Sequence, residues 1–167
     1  MPAKVNGLKI ERKFTDAGKD PFQKLDWKKR DVEIRNFDGT VAFSMDNVNL
    51  PDNYSQVAAN VLAQKYLRKA GIPKKLRKVK ESDVPSWLQK SIPDAKALES
   101  LPESERTGEE IDGKQTFRRL AGTWTYWGWK HGYFASEKDA RSYYDEMCYM
   151  LAFQMVSPNS PSGSIRV

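Results

Sequence analysis

The chain has 167 residues, a mean hydropathy of −0.73 and a formal net charge of +6, which is enough length for one domain with its own core but not for two. Its single cysteine, Cys148, excludes an intrachain disulfide, and no run reaches the roughly 18 apolar residues of a membrane span, so we expect a cytoplasmic protein without a membrane segment. The basic excess favours anionic partners, although such charge runs more often form a solvated face.

Residues 1–22 are basic and polar and show no hydrophobic periodicity. This composition is typical of an arm that orders only against a partner. From Leu25 the pattern changes, because apolar residues alternate partially on both sides of Asp38-Gly39. That dipeptide is a strong hairpin signal, so we predict a β-hairpin over residues 25–50.

A helix is predicted over residues 55–70. Ser55 is placed to cap its start, and Gly71 with Pro73 supplies a stop signal. The apolar residues at helical spacing form one stripe, which comprises Val57, Val61, Leu62 and Tyr66. We interpret this helix as structural.

Residues 73–113 form a long connection that is rich in proline, lysine, serine and glutamate. A short helix is predicted inside it near residues 85–90. A connection of this length without its own core is usually functional or ordered by a neighbour, which indicates assembly with a partner.

The Trp-rich segment, residues 117–134, reads FRRLAGTWTYWGWKHGYF and holds seven aromatic residues. Aromatic side chains bury about 150–250 Å² each, so the segment belongs in a core, an interface or a ligand site. We favour core and interface packing over base stacking on single-stranded nucleic acid, since Arg and aromatic residues together are also typical of protein interfaces. The predicted assembly surface comprises Arg118, Arg119, Trp124, Tyr126, Trp127 and Trp129.

The last predicted helix spans residues 136–156, begins at the S-x-x-D cap of Ser136 and Asp139, and packs on the Trp-rich segment. Cys148 lies in the middle of this helix and is interpreted as a small buried hydrophobe rather than a nucleophile. His131 is the only histidine and is interpreted as a polar turn residue, since a zinc site needs several converging ligands. We therefore predict no catalytic residue and no metal site.

Four stretches carry a resemblance to a known family: QVAANVLAQKYLRKAGIP, PSWLQKS, the Trp-rich segment, and the SEKDARSYYDEMCYMLAFQMVSPNSP that follows it. They resemble the N-terminal part of adenosylcobalamin-dependent (class II) ribonucleotide reductases. The resemblance covers most of residues 20–161. It implies a reductase N-terminal domain over residues 23–161, of the α+β class, mostly helical with an N-terminal β-hairpin and lacking the catalytic α/β barrel. Residues 162–167 depart from the family as a divergent tail.

For the whole enzyme, the resemblance implies reduction of ribonucleotides to deoxyribonucleotides for DNA synthesis, with adenosylcobalamin as cofactor and nucleotides as substrates and effectors. This chemistry needs at least three cysteines, which the family carries beyond the matched region. We therefore expect this chain alone to be an inactive structural or assembly fragment that binds no cofactor. Its expected partner is the remainder of the reductase, joined covalently or as a separate subunit, with a homodimer as an additional assembly.

The resemblance also implies a substrate-binding role for Asn159 and Ser160, because the similar N-S-P turn of the family lies near the substrate diphosphate. The alternative is that Ser160 is simply a turn residue after a helix. A second alternative concerns the whole chain, which would be a stand-alone nucleic-acid- or protein-binding module using its basic and Trp-rich surface. For nucleic acid we expect only weak, electrostatic binding, since the basic residues of 65–80 are separated in sequence from the aromatic block.

Overall fold

The structure is a computed structural model, and it describes residues 7–158. Strands β1 (Trp27–Arg35) and β2 (Val41–Pro51) pair antiparallel and form the first large element. Gly39 takes a φ of 85° in the turn between them, a conformation that glycine adopts without steric cost. This hairpin lies where the Asp-Gly dipeptide predicts one. Asn47 has a φ of 55° and donates its backbone N–H to Asp31 where the strand register shifts.

Helix α1 (Gln56–Val61) follows the hairpin, and the Ser55 hydroxyl oxygen accepts the backbone N–H of Ala58 at 3.1 Å. The helix continues as a π-helical turn over Leu62–Tyr66. It ends there, short of the predicted end at residue 70, because Leu67 takes an extended conformation and places its side chain in the core.

The connection contains only short elements: β3 (Ile72–Pro73), β4 (Leu76–Lys78), β5 (Ser91–Pro93), α2 (Ala95–Glu99), a 3-10 turn (Glu103–Glu105) and β6 (Thr107–Gly108). Strand β3 pairs with β6, and β4 pairs with β5, both antiparallel. In place of the helix predicted near residues 85–90 there is a single turn, in which the carbonyl of Pro85 accepts the backbone N–H groups of Leu88 and Gln89. The turn does not propagate because the chain enters β5 two residues later.

Two long helices complete the fold, α3 (Gly113–Lys130) and α4 (Glu137–Ala152). Most of the Trp-rich segment lies in α3, which begins with a capping box between Asp112 and Gln115. At α4, the Ser136 hydroxyl oxygen accepts the backbone N–H three residues later. The two helices pack against each other.

Helix α4 ends at Ala152, four residues before the predicted end. The reason is a left-handed residue, Gln154, with a φ of 57°. Beyond it, the backbone N–H of Met155 donates to the carbonyl of Met150 at 2.9 Å. This is the arrangement that closes a helix C-terminus by satisfying its free carbonyls.

Residues 7–22 pack on the chain itself, which differs from the expected arm that orders only against a partner. The backbone N–H of Leu8 donates to the carbonyl of Tyr133 at 2.7 Å. The backbone N–H groups of residues 13–15 all donate to the buried carboxylate of Glu146. A buried carboxylate needs such donors, so a residue on α4 holds this segment in place. The first six residues of the predicted arm lie outside the described residues.

The core lies where the hairpin, α1, α3 and α4 meet. Its larger buried members are Phe22, Val32, Met45, Val48, Leu50, Tyr54, Leu62, Leu67, Phe117, Leu120 and Leu151. Asn49 of the hairpin donates its side-chain N–H to Asp112 at the start of α3, at 3.0 Å. Over residues 7–158, no helix combines the length and the apolar character that a membrane crossing requires.

Candidate functional site

Helix α3 carries two different faces. Its buried face consists mainly of small or branched residues, namely Gly113, Thr116, Phe117, Leu120, Ala121, Thr123, Thr125 and Gly128. No tryptophan belongs to this face, and Trp127 exposes 45% of its surface. The tryptophans of the segment therefore lie at the edges of the core and beyond it.

Arg119, predicted on the assembly surface, is an internal residue. Its guanidinium pairs with Glu110 at 3.0 Å, and the two side chains are only 10% and 6% exposed. It also donates to the carbonyl of Tyr66 at 2.8 Å. Burial opposes ionisation of Glu110, but the hydrogen bonds from Arg119, Arg68 and Thr116 outweigh it and lower the pKa of that carboxyl. This ion pair joins α3 to the end of the first helical segment.

Three more residues of the predicted assembly surface also contact other parts of the chain. Trp124 packs against the core. The Trp129 indole donates to the carbonyl of Asp83 at 2.6 Å, and the Tyr126 hydroxyl donates to Glu81 at 2.8 Å. These two residues hold the connection against α3.

The remaining aromatic surface of α3 lies near its C-terminal end. Trp127 and His131 are one turn apart, and the rings of His131 and Tyr133 have centroids 6.0 Å apart. Leu8 and Tyr133 are 62% and 61% exposed and are joined through a backbone hydrogen bond. We call Leu8, Trp127, His131 and Tyr133 the exposed patch.

The side of α3 that carries Arg118, Gly122 and Tyr126 forms one wall of a cleft of about 960 Å³. We call it the basic cleft. The other walls come from the β4–β5 pair, from α4 and from residues 18–21. Its described lining holds seven basic side chains and one acidic one, Asp20. The basic residues are Lys19, Arg68, Lys78, Lys90, Arg118, Arg119 and Arg141.

At one end of the basic cleft the guanidinium of Arg141 lies over two rings, 4.9 Å from that of Trp87 and 5.3 Å from that of Tyr144. It also pairs with the buried carboxylate of Asp145 at 3.2 Å. Lys78 donates to the carbonyls of Trp87 and Gln89. The turn that contains Trp87 is thus fixed between β4 and α4.

Sequence reasoning separated the basic residues of 65–80 from the aromatic block, but the fold brings them together. Arg68 and Lys78 line the same cleft as Arg118 and Tyr126. Arg141 was not singled out from the sequence at all. Its position one turn before Asp145 on a helix was the only local signal available.

Cys148 is fully buried, and burial raises the pKa of its thiol to about 12. A thiol in this state is a poor nucleophile at neutral pH. His131 is exposed at the end of α3. Among residues 7–158, no group of three or more metal-ligating side chains lies together. Asn159 and Ser160, the predicted substrate-binding residues, lie outside the described residues.

Comparison with known proteins identifies the family. Residues 28–154 match the family model described as class II vitamin B12-dependent ribonucleotide reductase. The chain belongs to this family. It is 55% identical over 154 residues to the vitamin B12-dependent ribonucleotide reductase of Bradyrhizobium diazoefficiens and 54% identical to that of Agrobacterium fabrum. The Streptomyces avermitilis protein of the same name is 31% identical over 160 residues.

These matches cover 92% to 95% of this chain but only 12% to 13% of each relative. The chain therefore spans about an eighth of the length of the curated relatives that it matches. Most of the length of each relative has no counterpart in this sequence.

Proposed function

We propose that this chain is the N-terminal structural part of an adenosylcobalamin-dependent ribonucleotide reductase, the enzyme that converts ribonucleotides to deoxyribonucleotides. The observation that carries the proposal is the 55% identity over 92% of the chain to a protein named as a vitamin B12-dependent reductase. In this proposal the radical chemistry, adenosylcobalamin and the catalytic barrel belong to the remainder of the enzyme.

The burial of Cys148 supports the assignment of the radical chemistry to the remainder of the enzyme. Reduction of a ribonucleotide by a thiyl radical needs accessible thiols, and this thiol on α4 is completely buried in the core, where burial raises its pKa. Cys148 therefore stabilises the packing and takes no part in electron transfer. Adenosylcobalamin supplies the radical initiator when it is bound to the remainder.

In this proposal the exposed patch, which includes Trp127 of the predicted assembly surface, serves assembly. The exposed patch presents large apolar side chains that the described chain leaves in contact with solvent. Large exposed apolar side chains that lie near one another are typical of surfaces that meet a partner. In this proposal the partner is the remainder of the reductase, joined covalently or as a separate subunit.

A chimeric enzyme tests the proposal. This chain replaces the matched 154 residues of the Bradyrhizobium relative, and ribonucleotide reduction is measured with adenosylcobalamin. We expect the chimera to reduce ribonucleotides at a rate within about tenfold of the parent, and the chain alone to be inactive. The Cys148→Ser chimera should retain activity because the thiol is structural.

Two results would contradict the proposal. The first is turnover by the isolated chain that Cys148→Ser abolishes. The second is an inactive chimera whose isolated N-terminal part melts cooperatively, because such a chain folds but does not support the enzyme.

The finer assignments belong to the same proposal. The enzyme acts in the cytoplasm, forms a homodimer, and binds nucleotides as substrates and effectors through the remainder. Nucleic acid binds this chain only weakly and electrostatically, so its affinity falls steeply with salt and no tryptophan fluorescence is quenched. Strong quenching of tryptophan fluorescence by single-stranded nucleic acid would favour the alternative that the chain is a stand-alone nucleic-acid-binding module.

A further inference from the structure

The basic cleft has the size and charge of a binding site. Its volume of about 960 Å³ lies within the range of roughly 300–1,000 Å³ that is typical of small-molecule sites. A concave surface lined by one sign of charge concentrates counter-ions. Every described lining residue comes from this chain, so binding to the cleft can be measured on the chain itself.

One basic residue of the cleft is neutralised internally, and a second shares its partner. Arg119 pairs with Glu110, whose carboxylate is almost completely buried. Arg141 shares the buried carboxylate of Asp145 with Arg12, at 3.2 Å and 2.7 Å, so two guanidinium groups contact one negative charge. These pairs hold the walls of the cleft.

Other basic residues are placed to contact a ligand. Arg118 pairs with the half-exposed Asp20 at 3.1 Å, its guanidinium lies 5.3 Å from the centre of the Phe22 ring, and its side chain is 49% exposed. Within residues 7–158, Lys78 donates to two backbone carbonyls, which leaves one of its three ammonium N–H donors for a ligand. Lys90 is exposed on the same wall, next to β5.

Gly122 is the second, independent observation. It lies in the middle of α3 on the wall of the cleft, where a Cβ would meet only the Tyr144 ring, at an ordinary 3.8 Å. Its φ is not positive, so neither packing nor backbone conformation requires glycine, although glycine weakens a helix. Gly128 differs, since its Cβ would lie 2.8 Å from the Phe134 ring. A glycine at residue 122 lets a ligand approach the α3 backbone closely.

We propose that the basic cleft binds the phosphate groups of a small polyphosphate ligand. Lys78, Lys90 and Arg118 contact the phosphate oxygens, and the α3 backbone at Gly122 forms the floor. Guanidinium and ammonium groups suit this chemistry because they donate charge-assisted hydrogen bonds to phosphate. The source is either inorganic polyphosphate or the phosphate chain of a nucleoside triphosphate.

Calorimetric titration of the full chain at physiological salt distinguishes the sources. The probes are inorganic triphosphate, ATP and a hexaglutamate peptide. We expect the two phosphate compounds to bind at least about tenfold more tightly than the peptide. If triphosphate and ATP bind equally tightly, the cleft contacts only the phosphate groups. If ATP binds more tightly, the cleft also contacts the nucleoside. Equal binding of hexaglutamate would overturn the proposal.

Matched variants locate the site. The double variant Lys78→Gln with Arg118→Gln should weaken triphosphate binding at least about tenfold. The control double variant, Lys28→Gln with Lys29→Gln, removes the same charge from β1, outside the cleft. It should change the affinity for triphosphate less than about twofold. Gly122→Leu fills the floor and should also weaken binding about tenfold.

Thermal melting of each variant verifies that it is folded. If Gly122→Leu proves unfolded, Gly122→Ala replaces it, since its Cβ fits. The proposal is wrong if the two double variants lose affinity equally, or if a folded residue-122 variant binds triphosphate like the wild type.

Discussion

The two sides of α3 differ in the kind of residue that each presents. The core side is built from small and branched residues such as Ala121, Thr125 and Gly128, which allow another element to pack closely. The cleft side carries Arg118, Gly122 and Tyr126. The tryptophans Trp124, Trp127 and Trp129 belong to neither set. Aromatic content thus marks the surfaces at which α3 meets other elements, while the small residues mark its core.

The largest expected difference separates two neighbouring arginines. Arg119→Ala should lower the free energy of unfolding by about 3–5 kcal/mol, because it leaves the Glu110 carboxylate buried without its ion-pair partner. Arg118→Ala should cost less than about 1 kcal/mol, since its pair with Asp20 is half-exposed. Urea unfolding measures both. Equal losses would mean that the buried Arg119–Glu110 pair is no more important for stability than the half-exposed Arg118–Asp20 pair.

A second pair compares the core with the exposed patch. Leu151→Ala should lower the free energy of unfolding by about 2–5 kcal/mol, because Leu151 is 4% exposed in the core. Trp127→Ala should cost about 1 kcal/mol or less, because the residue is nearly half-exposed. Calorimetric melting is the measurement. A larger loss for Trp127 would place it in the core.

The third prediction concerns the segment that Glu146 holds. Burial opposes ionisation of Glu146, but hydrogen bonds from Thr15 and from the backbone of residues 13–14 outweigh it and lower its pKa. Ionised Glu146 therefore stabilises the folded chain fully above its unfolded pKa of about 4.3. This stabilisation is lost as the pH falls through the lower pKa that Glu146 has in the folded chain. Amide proton shifts of residues 13–15 should report this transition.

Glu146→Gln supplies the matched test. It should remove that transition at residues 13–15 and lower the free energy of unfolding by about 2 kcal/mol, the usual effect of losing charged hydrogen bonds. The backbone amide of Arg68 donates to Glu110 at 2.9 Å. Its proton shift should still follow the titration of Glu110 in this variant. An unchanged transition at residues 13–15 would remove Glu146 as its cause.

The smallest expected effect distinguishes two glycines of α3. Gly122→Ala should raise the free energy of unfolding by about 1 kcal/mol, because alanine favours a helix and its Cβ fits. Gly128→Ala should lower the melting temperature, since the Phe134 ring must shift. If both variants were stabilised, close packing at Gly128 would not be required.

Local signals predicted the elements that depend on neighbouring residues. The Asp38-Gly39 turn and the caps at Ser55 and Ser136 lie where the sequence places them. The start of α3 also carries a local signal, since Asp112 and Gln115 have capping-box spacing, but the aromatic content of residues 117–134 does not by itself indicate a helix. Its helical conformation was therefore missed.

The features that sequence reasoning missed depend on contacts between distant residues. Glu146 receives the backbone of residues 13–15 across more than 130 positions of sequence. The basic cleft combines residues from the N-terminal segment, the connection, α3 and α4. No periodicity or spacing encodes such contacts, so only the fold reveals them.

One measurement tests most directly the claim that the outward aromatic residues of α3 serve assembly. In the chimeric reductase, Trp127→Ala is compared with Phe37→Ala, a control that removes a fully exposed aromatic residue from the hairpin turn. Because buried tryptophans dominate many interfaces, we expect Trp127→Ala to lower turnover more than about tenfold, while the melting temperature of the isolated chain falls by no more than about 4 °C. Phe37→Ala should leave turnover unchanged. Wild-type turnover of the Trp127→Ala chimera would contradict the account.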